Sequence, residues 1–215
     1  AGEAAITEAG KDASSIAHGA GQRAASECDK IQKATKQSGN IIKSLSKTES
    51  GKIITEIANV PEFKQAEERI TQLSKEVPKE KRGFTMPSNF NEHQKLIDQA
   101  NKMYDEFRSI STDVQQISKN TGLNENFIQE VKNHLFLNEQ ALDAGFMRFD
   151  ADIDIAKSWQ RLIDGKFEQA DLKLLLHEYV EQKANILFNE QTGNHLFYRA
   201  AHHLANQLYN WENFV

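Results

Sequence analysis

Apolar residues recur through this chain at alternating steps of three and four, over runs long enough to leave room for helices and little else. Phe63, Ala66, Ile70, Leu73 and Val77 follow a 3-4-3-4 spacing. Leu96, Ala100, Met103, Phe107, Ile110, Val114 and Ile117 follow 4-3-4-3-4-3. Such steps put every apolar side chain on one stripe of an α-helix. Only three prolines and eleven glycines interrupt 215 residues, so breakers are scarce. The fold class expected is all-α.

The punctuation then sets the order of helices. Pro61 opens a helix over 62–77, and Pro78 closes it. Ser88 or Asn89 caps a second over 89–119. The two are expected to form an antiparallel hairpin that serves as a scaffold. Upstream, Ile16, Ala20, Ala24, Cys28 and Ile31 also recur at helical spacing, with side chains too small to bury much area. Asn120-Thr121-Gly122 breaks the pattern, which places a domain boundary there: an N-terminal helical hairpin or bundle over 1–121 and a small helical domain over 122–215. Within the latter, Asn124 caps a short helix, 143–150 reads as a turn with a short extended piece, and further helices span about 151–163, 169–188 and 194–211.

Composition narrows the function. The 39% hydrophobic content and mean hydropathy of −0.64 fit amphipathic helices better than a thick core. No run approaches the eighteen apolar residues that span a membrane. With one cysteine, Cys28, no disulfide can form within the chain, and nothing beside it in sequence would activate it as a nucleophile. The start, Ala1-Gly2-Glu3-Ala4-Ala5, has neither the basic residues nor the apolar centre of a signal peptide. It also lacks an initiator Met, as expected of a piece of something longer. From Gly122 onward eight Lys/Arg stand against fourteen Asp/Glu, which weakens any case for long-range attraction of nucleic acid.

Candidate chemistry concentrates between Arg148 and His203. In His177-Glu178-Tyr179-Val180-Glu181, His177 and Glu181 lie four apart and share a helix face. Helical zinc peptidases use two His at that spacing with a Glu beside the first as base. Here Glu181 stands in place of the second His, and a third ligand would come from His195, His202 or His203. A divalent metal ion on His177, Glu181 and His195 is one expectation, with Glu178 as base. A metal-free His177 working with His202 is another. The third is a core His bonded along its helix to Glu181. Asp150, Asp152 and Asp154 alternate, but the Ca²⁺-loop pattern fails at Ile155 and Arg161, where Gly and Glu are required. Capping of a helix N-terminus is the expected role there, with Asp150 also placed to orient Arg148 or His177. His134 has no supporting neighbours in sequence.

The run from Phe146 through Arg148-Phe149-Asp150-Ala151-Asp152 and Trp159-Gln160-Arg161-Leu162 to Gly165, followed by Leu174–Glu181 and a later His, resembles the C-terminal toxin modules of bacterial polymorphic toxins, including those of contact-dependent growth inhibition. The likeness covers residues 134–210. It implies a toxin domain at the end of a large secreted protein, delivered to the target-cell cytoplasm. Residues 1–121 would then serve delivery across the target's inner membrane, with an inner-membrane protein of the target cell as a transient partner. A cognate immunity protein is implied as well. Many such modules are nucleases, often acting on tRNA, so RNA is the leading substrate. His177 and His202 would share acid–base duty, and Arg148 would hold the phosphate. The alternatives are a metal-dependent hydrolase or peptidase on the His177-Glu178-x-x-Glu181 helix, and a helical binding module with no activity.

Overall fold

The computed structural model describes residues 47–79, 89–142, 145–192 and 198–211, all within one compact unit, Lys47–Val215. The small-residue stretch with Cys28, the loop before Asn89 and His195 fall outside the described residues. Eight α-helices are described: α1 Lys47–Ala58, α2 Pro61–Leu73, α3 Phe90–Ser109, α4 Asp113–Thr121, α5 Glu125–Lys132, α6 Ile153–Asp164, α7 Gln169–Thr192 and α8 Tyr198–Leu208. Among the described residues the chain is all-α apart from one small hairpin, β1 Gln140–Leu142 with β2 Gly145–Met147, where the sequence led us to expect a turn with an extended piece. Its strands are antiparallel, with Ala141 opposite Phe146. No helix among the described residues is long and apolar enough to cross a membrane.

The bundle is organised around α7, which packs against α1, α2, α5, α6 and α8. Its residues from Leu174 to Glu181 are all buried. A helix covered on every side reads as apolar all round, and Leu172, Leu174, Leu175, Leu176 and Val180 meet that requirement. Tyr179 extends from the side opposite His177, with its ring stacked on Phe63 at 5.4 Å and on Phe127 at 4.8 Å. Five buried polar residues on this helix, Asp171, His177, Glu178, Glu181 and Asn185, do not fit the rule. Asp171 has a structural explanation. It accepts from the Glu168 backbone N–H and from both Nε and Nη2 of Arg161, which clamps α6 to the start of α7.

Most of the apolar seam is covered, while Ile110 is exposed and Val77, Leu96 and Met103 are half-buried. Phe63, Ala66, Ile70 and Leu73 are buried on α2, and Ala100, Phe107, Val114 and Ile117 are buried on α3 and α4. The expected hairpin is corrected. α2 buries its seam against α1, α5 and α7, whereas α3 packs on α6 and on the turn after α5. A heptad stripe specifies a face to be covered and leaves the partner open. The single helix expected over 89–119 is two, because Ile110 turns extended (φ −75°, ψ 130°) and ends α3. What fills the break is Lys132, whose Nζ donates to the Ile110 carbonyl at 2.6 Å and to Asp113 Oδ1 at 2.7 Å. Asp113 Oδ2 also accepts from Trp159 Nε1 at 3.1 Å.

Asp113 and Lys132 are both buried, so each depends on the other for its charge. Removing one partner of a buried pair leaves an uncompensated charge and typically costs about 3–5 kcal/mol. Asp113→Ala is therefore expected to lower unfolding free energy by roughly that amount, read from urea melts of the full chain. A loss below about 1 kcal/mol, the size of a surface pair, would show that the clamp is dispensable.

The boundary expected at Gly122 falls inside the compact unit. Gly122 is a left-handed helix cap (φ 71°), and Arg69 Nε sits 3.0 Å from where a Cβ would project. The neighbouring Arg69 Nε–H donates to the Thr121 carbonyl at 2.8 Å. Asn120 Nδ2 donates to the Leu162 and Ile163 carbonyls at the end of α6, at 3.0 and 2.8 Å. The polar, Gly-containing junction is thus a tight corner sewn to helices on both sides. Expected caps are present elsewhere: Asn89 accepts from the Asn91 N–H, Asn124 from Asn126, and Asp152 from Asp154 and Ile155.

Candidate functional site

Three elements converge on the Glu181 carboxylate. α7 supplies His177, Glu178 and Glu181 from one face. α8 supplies His202. The third contributor is a π-helical turn, Asn133–Leu137, which follows α5 directly and carries His134. Wide turns of this kind re-aim a side chain that an ordinary helix would place elsewhere, and they recur at functional sites. His134 Nε2 lies 3.1 Å from Glu181 Oε1 and 3.6 Å from Glu178 Oε2. On the other oxygen, His202 Nδ1 is 2.5 Å from Glu181 Oε2 and His177 Nε2 is 3.5 Å from it. One carboxylate therefore faces three imidazoles.

The outer atoms of these rings are held too. His177 Nδ1 lies 3.0 Å from the backbone carbonyl of Tyr209, just past α8. Since a carbonyl only accepts, Nδ1 carries a proton. Tyr209 is itself fixed, its hydroxyl donating to Glu67 on α2. His202 Nε2 lies 3.0 Å from the Asn206 amide, one turn on. The His202 ring stacks on Tyr198 and meets His177 edge-on, at centroid distances of 6.0 and 5.3 Å.

Burial separates the two carboxylates. Desolvation pushes Glu178 up to about 7, with the charge of Glu181 adding to the rise and the three His opposing it. Burial acts on Glu181 in the same direction, but the imidazoles of His134, His177 and His202 around it outweigh that and hold the carboxyl well below its usual range. His177 is raised: burial lowers it, and the facing Glu181 and Glu178 carboxylates and the Tyr209 carbonyl overcome that. The cluster thus pairs a firmly ionised carboxylate with one poised near neutrality, the kind of separation on which acid–base chemistry draws.

Glu178, Glu181 and His202 form the floor of a cavity of about 600 Å³. Its walls come from the hairpin and the segment after it (Leu142, Met147, Phe149), and from Tyr104 and Trp211. Asp150 and Asp152 stand on the side of the α6 N-terminus and Arg199 on α8. The Tyr104 hydroxyl is raised by burial, which outweighs a lowering backbone hydrogen bond at Asp152, and the Asp152 and Glu178 charges add to the rise, so it stays protonated. His202 is the imidazole that meets solvent, its side chain 33% exposed.

The residues expected from sequence divide accordingly. His177, Glu178, Glu181 and His202 are brought together. Asp150 lines the cavity and is exposed, while the N-cap is Asp152. Arg148 is exposed, and the residues that line the cavity do not include it. His203 is exposed and bonds Gln207. His195 lies outside the described residues. His134 is the addition. Its signal lay in the stripe Phe127, Val131, His134, a polar residue where the α5 spacing calls for an apolar one. Compared with protein-family models, with curated proteins and with solved structures, the chain finds no match.

Proposed function

We propose that this chain is a hydrolase that activates water over the His134–His177–Glu178–Glu181–His202 cluster, and that its substrate is a neutral or cationic amide such as a peptide. The observation that carries the reading is the convergence of three imidazoles and two carboxylates beneath a cavity. Burying ionisable groups costs several kcal/mol per charge after relaxation, and here four of the five, His134, His177, Glu178 and Glu181, are buried. In the step proposed, Glu178 takes a proton from water and the hydroxide adds to the carbonyl carbon. The proton then passes to the amide nitrogen as the C–N bond breaks, leaving a carboxylic acid and an amine. Tyr104, at the wall, is placed to donate to the carbonyl oxygen as its charge develops.

The lining favours an amide over RNA. Asp150, Asp152, Glu178 and Glu181 outnumber Arg199 around the cavity, and Arg148 is not there to offset them. A phosphodiester brings its own negative charge into that field. Nuclease activity remains the second reading, favoured by the resemblance to polymorphic toxin modules. The same resemblance supports an antibacterial setting, with delivery to a target cytoplasm and an immunity protein as partner.

Expression of residues 1–215 in a bacterial cytoplasm is expected to arrest growth, and His177→Ala to relieve the arrest. Mass spectrometry of arrested cells should show peptides with new termini while ribosomal and transfer RNA stay intact. Cut RNA with unchanged proteins would transfer the reading to a nuclease. Normal growth at full soluble expression would count against a toxin.

A further inference from the structure

We infer that the cluster holds one divalent transition-metal ion of the zinc class, bound by His177 Nε2, Glu181 Oε2 and His202 Nδ1. The inference rests on the hydrolase reading and names what activates the water there.

It begins with a proton count on His177. The Tyr209 carbonyl requires the proton on Nδ1. In the neutral ring, Nε2 then presents a bare lone pair toward the Glu181 carboxylate 3.5 Å away, and two lone pairs repel. Either a proton on Nε2 or a metal cation between the two removes that repulsion. If it were a proton, a charge-assisted bond of about 2.7–2.9 Å would be expected. Nε2 has no hydrogen-bond partner among the described residues, and the ring is fully buried. Zinc at about 2.0–2.1 Å from each ligand in a tetrahedron sets neighbouring donors about 3.3 Å apart. The His177–Glu181 separation matches that spacing. His202 Nδ1 has to draw back from its 2.5 Å contact by less than an ångström, and the ring sits on the partly exposed side of the cluster.

The donors have the composition of a catalytic zinc site, two His and one carboxylate with a fourth position for water. All three donor atoms lie within 4.8 Å of one another. Glu181 and His202 line the cavity, so the open position faces substrate. Metal ligands depend on outer partners that fix their orientation, and each of these has one. The Tyr209 carbonyl holds His177, and His134 Nε2–H donates to the second oxygen of Glu181. The Asn206 amide nitrogen stands 3.0 Å from His202 Nε2; turning that amide to present its unpartnered oxygen would place the imidazole proton on Nε2 and the lone pair on Nδ1, toward Glu181.

The same logic limits the site to one ion. His134, Glu178 and Glu181 form a second converging group. For His134 Nε2 to bind metal, its proton would have to move to Nδ1, which is buried with no hydrogen-bond partner among the described residues. Keeping the proton on Nε2, where two carboxylates face it, avoids a stranded donor. His134 is a positioning residue for Glu181, and Glu178 stays free for the proton of the bound water.

The test uses the full chain, stripped with a chelator and titrated with Zn²⁺ alone against a chromophoric competitor, with Co²⁺ as a spectroscopic probe. One equivalent is expected, with a rise in melting temperature and visible absorption of tetrahedral Co²⁺. His202→Ala, on the least buried ligand, should weaken Zn²⁺ binding by about 100-fold or more and abolish the cobalt spectrum while circular dichroism stays helical. His134→Gln should keep one equivalent. Two equivalents, or binding unchanged in His202→Ala, would overturn the inference. So would a wild-type chain that binds neither ion while chelator-treated protein still hydrolyses peptides, in which case the hydrolase reading stands alone. Stoichiometric zinc with no hydrolysis of peptides would leave the metal site and remove the reading it rests on.

Discussion

A chain that starts at Gly122 is expected not to fold, whereas residues 47–215 should unfold as one cooperative unit. The removed segment supplies eleven buried apolar side chains, among them Ile53, Phe63, Ile70, Tyr104, Phe107 and Ile117. Burying one such side chain is worth about 1.5–3 kcal/mol, and a whole domain retains only about 5–15 kcal/mol. The loss therefore exceeds any margin the remainder can have. Polar partners would be stranded too. Trp159 Nε1 and Lys132 would lose Asp113, and Tyr179 would lose the stacked ring of Phe63. Thermal melts and amide NMR spectra of the two fragments give the answer directly. A sharp melt with dispersed amide signals from 122–215 alone would show that the division at Gly122 is real after all.

That expectation reverses what the bare pattern of residues implied, and the reason is physical. Asn-Thr-Gly marks a place where a helix must stop and the chain must turn. Whether the next helix then leaves or folds back depends on contacts distant in sequence. Here Arg69 caps the corner from 52 residues upstream and Asn120 reaches 42 residues ahead. Local signals fared better. The caps Asn89, Asn124 and Asp152 and the buried seam positions were all legible, because each depends on its neighbours within a turn or two. The interruption after Ile110 was not, since the group that stabilises it, Lys132, belongs to another helix.

The site divides along the same line. His177, Glu178 and Glu181 announce themselves because one helix places them on a face. His202 could be shortlisted, though the sequence could not choose among it, His195 and His203. His134 looked like a stray. It joins the cluster only because the helix widens at Asn133–Leu137, a change of pitch that no periodicity in the sequence records. A polar residue inside an apolar stripe was the one available sign, and a lone His in such a stripe is ambiguous until its partner is known.

Glu178→Gln is expected to cost a factor of about 10² to 10⁴ in rate, the usual worth of a general base, and to leave the melting temperature nearly unchanged. Gln has the same shape, so the packing around α7 is kept. Glu178 also lies buried beside Glu181, and burial together with that charge disfavours its ionised form. A neutral side chain in its place removes a repulsion inside the cluster and strands no partner, because His134 keeps its shorter contact to Glu181. Glu181→Gln makes the contrast. It is equally conservative in shape, yet it takes the charge away from three imidazoles at once. A buried charge left unpaired costs about 3–5 kcal/mol, so this variant should lose stability as well as activity. Growth arrest, peptide hydrolysis and thermal unfolding measured on both variants separate the roles. Loss of activity in Glu178→Gln with an unshifted melt identifies the group that handles the proton of the attacking water. Full activity in Glu178→Gln would remove it from the reaction.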